Sequence, residues 1–135
     1  MLKKKLGIEG IEKDHSWNSI HVTALKFIYK IPSTLVIPGD CKKIGKSAFV
    51  NCRELEEVVI SEGVKSIGTC AFQGCWYLKK VVIPGSVEEI GDYAFYSCES
   101  ADVLIMTSER KFRSLGRLAL NDCLTVRYVK KKIRN

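Results

Sequence analysis

Residues Leu55 to Lys80 read LEEVVISEGVKSIGTCAFQGCWYLKK, and their order of apolar and small residues recurs 23 positions earlier and 23 positions later. Ile44, Ile67 and Ile90 fall in register, as do Gly45, Gly68 and Gly91. Ala48-Phe49, Ala71-Phe72 and Ala94-Phe95 follow, then Cys52, Cys75 and Cys98. Ile37, Ile60 and Ile83 complete the pattern. A fixed period of this size marks a solenoid, in which each rung buries its flanks only against its neighbours.

Within a rung, Val58-Val59-Ile60 alternates inward, outward, inward as a short strand does. Pro38, Ser61 and Pro84 end these strands, and Gly39, Gly63 and Gly85 loosen the turn that follows. Val64 and Ile67 send two more side chains inward. The glycine after that isoleucine is expected to take a backbone angle other residues avoid. Ala-Phe-x-x-Cys then fits one turn of α- or 3₁₀-helix, with Phe as the bulky plug of the core. The expected fold is an α/β repeat solenoid: short parallel strands on one side, turns and short helical segments on the other.

The period organises residues 1–135 as one solenoid. Residues 32–103 form three regular 23-residue rungs, and 104–129 an irregular fourth rung with a closing strand over Leu124 to Val129. In that rung Leu115-Gly116 matches the Ile-Gly pair, Phe112 takes the Val64 position, and Leu104-Ile105-Met106 is read as the strand. Ala101 stands where Leu55 and Leu78 stand, so packing is expected to loosen there. Residues 6–31 read as a degenerate capping rung: Trp17, Ile20, Ala24, Leu25 and Ile28 reproduce the spacing of Val64, Ile67, Ala71, Phe72 and Cys75. An amphipathic helix starting near Asp14 or Ser16 fits the same residues. Residues 130–135 are a basic tail.

No apolar run approaches the roughly 20 residues of a membrane span. Met1 to Lys5 has the positive start of a signal peptide, but Glu9, Glu12, Lys13 and Asp14 interrupt what should follow. As written the chain carries no secretion signal, which fits either a cytoplasmic protein or a fragment of a longer one, and the compartment stays open. Of its +7 formal charge, Lys3, Lys4, Lys5, Arg127, Lys130, Lys131, Lys132 and Arg134 lie in the two tails. The body between holds 14 basic and 15 acidic residues. A nucleic-acid surface would gather its charge on one face of the body, so nucleic acid is an unfavoured partner.

Five of the six cysteines sit where the repeat wants a small apolar side chain: Cys52, Cys75, Cys98 and Cys123 in one column, Cys41 in that of Val64 and Val87. Reduced, buried thiols are expected. Cys70, in the column of Ser47 and Tyr93, is the expected accessible thiol. The cysteines lack the two-to-four spacing of zinc knuckles. His15 and His21 lie far from them in sequence, leaving no nucleophile pair. Gly39 to Ser47 holds five residues between its glycines where a P-loop needs four. The reading is a non-enzyme without cofactor or metal.

Lys80-Val81-Val82-Ile83-Pro84-Gly85-Ser86-Val87-Glu88-Glu89-Ile90-Gly91-Asp92-Tyr93-Ala94-Phe95-Tyr96-Ser97-Cys98 closely resembles the BspA-like class of leucine-rich repeat. The resemblance is close over residues 32–103 and loose over 104–129. It implies a curved solenoid with a parallel sheet on its concave face. It also implies a binding role, often adhesion or host interaction by cell-surface or secreted proteins.

On such a face the outward positions are Thr34, Val36 and Pro38, then Glu57, Val59 and Ser61, then Lys80, Val82 and Pro84, then Val103, Ile105 and Thr107. The column Val36, Val59, Val82, Ile105 is apolar in every rung. With Glu57 and Lys80 beside it, it is the candidate protein- or peptide-binding surface. A plain solvent-facing sheet, where β-branched residues are favoured anyway, explains it too. Trp76 and Tyr77 stand at a normally polar site and form, with Tyr96, a candidate aromatic patch. Local packing is the alternative there. A second reading of the whole chain is a segment of a longer array, self-associating through its ends.

Overall fold

The computed structural model describes residues 16–17, 33–107 and 112–130. Among the described residues ten strands follow one another: β1 (Ser16–Trp17), β2 (Thr34–Ile37), β3 (Lys43–Ile44), β4 (Glu57–Ile60), β5 (Ser66–Ile67), β6 (Lys80–Pro84), β7 (Glu89–Ile90), β8 (Asp102–Met106), β9 (Ser114–Leu115) and β10 (Thr125–Tyr128). They form two parallel sheets, ordered β1-β3-β5-β7-β9 and β10-β8-β6-β4-β2. Among the described residues there is no helix. The molecule is a β-solenoid, and the expected α/β solenoid with helical segments is thereby corrected.

The reason lies in where the amides of the Ala-Phe-x-x-Cys segment go. Ala71, Gln73 and Cys75 donate to the carbonyls of Gly68, Cys70 and Phe72, three residues back, at 3.2 to 3.3 Å. Cys70, Phe72 and Gly74 between them donate to Asp92, Ala94 and Tyr96 of the next rung, at 2.7 to 2.9 Å. A helix keeps every amide within itself. Here every second one is spent on stacking, so the segment is a ladder of turns. Left-handed residues punctuate it: Cys70 at φ 58° and Gly74 at 76° in one rung, Tyr93 at 57° and Ser97 at 61° in the next.

The repeated glycine therefore has a different task from the expected one. Gly68 and Gly91 do not take positive φ. A Cβ on Gly68 would lie 2.8 Å from the backbone carbon of Gly45, and one on Gly91 2.5 Å from the Thr69 amide nitrogen. Rungs touch backbone to backbone at this column, and only glycine leaves the room.

Inward side chains make one continuous core of stacked columns. Phe49, Phe72 and Phe95 stack with centroids 5.2 and 5.1 Å apart and planes within 6°. Cys52, Cys75 and Cys98 are fully buried beside them, and all six cysteines are free thiols. Cys70 is half-buried, but so is Cys123, so the accessible-thiol description is not unique to Cys70.

Two register expectations change. β8 pairs Lys80 with Asp102, Val81 with Val103, Val82 with Leu104 and Ile83 with Ile105, a step of 22 residues. One residue is missing between Ala101 and the strand, which turns Val103 and Ile105 inward. Ala101 remains fully buried, and β6 pairs with β8 over five residues, so strand pairing there is continuous. At the other end, Trp17 pairs with Ile44, not with the Cys41 position, three residues from the expected alignment. The rest of the proposed first rung, with Ile20, Ala24, Leu25 and Ile28, lies outside the described residues, as do residues 131–135 of the tail. The closing strand is present as β10, pairing Val126 with Val103.

Candidate functional site

The outward face of the five-stranded β10-β8-β6-β4-β2 sheet carries three columns. The first is Thr34, Glu57, Lys80, Asp102 and Thr125. Its charges alternate, with Lys80 Nζ 3.8 Å from Glu57 and Thr125 Oγ1 donating to Asp102 at 2.6 Å. A parallel sheet in register dictates such a ladder, since strands about 4.8 Å apart place like positions side by side. These contacts are exposed and worth at most about 1 kcal/mol each. They fix the side chains more than they stabilise the fold.

The second column is Val36, Val59, Val82 and Leu104, ending at Arg127. Val36 is 44 % exposed; Val59, Val82 and Leu104 are half-buried and Arg127 is exposed. Ile105, the expected fourth member, is fully buried in the core. Leu104 takes its place, so the stripe stays apolar over four strands with a different last residue. Counting the residues between Ala101 and the strand was the only available signal for that shift. Pro38, Ser61, Pro84 and Met106 flank the stripe on its far side; Pro84 itself is buried.

The aromatic residues divide into two contacts. Trp76 is 54 % and Tyr77 59 % exposed. The Arg53 guanidinium lies 4.9 Å from the Trp76 ring centroid, a cation–π contact between adjacent rungs. Trp76 also lines an open depression of about 400 Å³ with Ser97, Glu99 and Ser100. Tyr96 packs edge-to-face on Tyr93 at 5.4 Å. Arg53 does not stand out in the sequence, because its column holds polar residues in the other rungs apart from Trp76.

The second sheet presents a polar face. Lys43, Ser66, Glu89 and Ser114 run along its strands and line, with Lys46 and Thr69, an open groove of about 310 Å³. Arg113 pairs with Glu89 and lies 3.8 Å from Glu88. Asp92 and Asp122 cap backbone amides across rungs, accepting from Arg117 at 2.7 Å and Ser97 at 3.1 Å.

Buried thiols offer no nucleophile. The hydrogen bond with Cys98 and burial together hold the Cys75 thiol far above its ordinary pKa. Burial, then Cys98 and Asp122, push Cys123 up to about 12. Among the described residues no group of three or more His, Cys, Asp and Glu side chains could hold a metal ion. The described residues hold no helix long and apolar enough to cross a membrane.

The model of the BspA type leucine rich repeat region (6 copies) matches residues 18–133, and the chain belongs to that family. This is a non-catalytic family whose members are protein-binding modules in general. No curated protein and no solved structure matched the chain.

Proposed function

We propose that the chain binds an extended protein or peptide segment across the outward face of the β10-β8-β6-β4-β2 sheet, with Val36, Val59, Val82 and Leu104 as the apolar floor. The observation that carries the reading is the continuity of that stripe beside the charged Glu57–Lys80–Asp102 ladder. An apolar strip rimmed by alternating charge suits a partner with matching polar flanks. Adhesion or contact with a host protein is the form of this binding that we infer from the family resemblance. Partners would be selected from a displayed peptide library with the wild-type chain, then titrated against a Val59→Lys/Val82→Lys variant. Both positions face outward, so the fold should persist. Binding should fall at least about tenfold. Unchanged affinity in the folded variant would remove the sheet face from consideration.

A further inference from the structure

The largest excess of positive charge in the sequence lies toward its C-terminal end. Residues 108–135 hold nine Lys and Arg against two Asp and Glu, a sum of +7; residues 1–107 hold thirteen of each and sum to zero. In the described part of that last rung Arg117, Arg127 and Lys130 are exposed. Arg113 is exposed as well but engaged with Glu88 and Glu89.

The core columns open to solvent in the same rung. Ile44, Ile67 and Ile90 are at most 1 % exposed, whereas Leu115 in their column is 51 % exposed. Leu55, Leu78 and Ala101 are fully buried, whereas Leu124, 23 residues beyond Ala101, is 65 % exposed. The backbone is open there too. Thr125 and Val129 donate their amides back to Ala101 (3.3 Å) and Ile105 (2.8 Å), and strand alternation leaves the Val126 amide facing away from β8. β10 ends the order of its sheet among the described strands.

We propose that this face receives an acidic, extended segment of a partner protein, added as a further parallel strand along β10. Its apolar residues pack on Leu124 and its carboxylates meet Arg127 and Lys130, both exposed. An edge amide, an exposed apolar column and concentrated positive charge are together what strand addition uses. A nucleic acid would use only the charge. A second copy is disfavoured by charge: its sequence is positive at both ends, +7 over residues 108–135 and six Lys against three Asp and Glu over residues 1–33. The proposal shares with the sheet-face reading only Arg127, which ends the stripe column beside Leu104.

The full chain would be titrated by fluorescence anisotropy with a labelled ten-residue peptide alternating Val and Glu. Comparison probes are the same peptide with Lys for Glu, the Glu peptide with Pro at alternate positions, and a 20-nucleotide single strand. The Val-Glu peptide should bind, the Lys and Pro versions at least about tenfold more weakly, with several-fold loss on raising salt from about 50 to about 300 mM. Leu124→Glu and Arg127→Glu should each weaken it about fivefold or more. Both tested side chains are exposed; if Leu124→Glu nevertheless unfolds, Arg127→Glu decides. Equal binding of the Pro peptide, or nucleic-acid binding that survives Leu124→Glu in place of peptide binding, overturns the proposal. So does sedimentation showing self-association that Leu124→Glu abolishes.

Discussion

Cys98 donates its thiol hydrogen to the carbonyl oxygen of Phe72, one rung back, at 3.1 Å, and Cys75 repeats the contact on Phe49 at 3.2 Å. The cysteine column is therefore a small apolar filler that also gives a buried carbonyl a second donor beside its backbone amide donor. Cys98→Ala removes both the sulfur and the donor and should cost about 2 kcal/mol in a urea melt. Cys98→Ser keeps a donor and should cost less than Ala. If Ala proves as stable as the wild type, the thiol contact contributes nothing.

These thiols also set a pH limit. Cys123 is pushed up to about 12 in the fold against an ordinary 9.0, and Cys75 is raised as well. The folded chain then holds protons that the unfolded chain has lost, so stability must fall as pH rises. The contribution is intact below about pH 9 and declines from there towards pH 12. Cys123→Ser should show a shallower loss of melting temperature across that window than the wild type. Parallel slopes would mean that Cys123 titrates as it does in the unfolded chain.

Phe72 lies between Phe49 and Phe95 and is fully buried. Phe72→Ala should cost about 3–5 kcal/mol, and Phe72→Leu distinctly less, because Leu fills more of the space between the two remaining rings. Chemical denaturation of both variants measures the difference.

The periodic columns made the core legible before any coordinates: Ile67, Phe72, Cys75 and Leu78 are buried as their alignment requires. What the spacing could not distinguish was a helical turn from a ladder of turns, since Ala71, Phe72 and Cys75 face inward in either. The choice is made by backbone amides that bond to the next rung, and these leave no mark in side-chain periodicity. The glycine column misled for the same reason. Gly91 signals special backbone, but whether by dihedral angle or by close approach depends on the neighbouring rung. Its contact predicts that Gly91→Ala costs at least about 2 kcal/mol, because Thr69 backbone must shift to admit the methyl group. A near-neutral thermal melt for that variant would show that the rungs can part freely at this column.

The candidate surface shows how a single missing residue changes a site. Up to Lys80 the 23-residue period places every outward residue correctly, and beyond Ala101 it fails by one. Leu104 and Ile105 are adjacent in sequence, yet one faces out and is half-buried while the other is fully buried. Ile105→Lys would place an unpaired ammonium in the core beside Ile83 and should destabilise by more than about 4 kcal/mol. Leu104→Lys keeps its charge in solvent and should change stability by no more than about 1 kcal/mol. Its effect should appear in binding at the sheet face, where it interrupts the stripe between Val82 and Arg127. Denaturant melts of the pair separate the two registers directly: a 23-residue step predicts the opposite order of stabilities, with Leu104→Lys the variant that fails to fold.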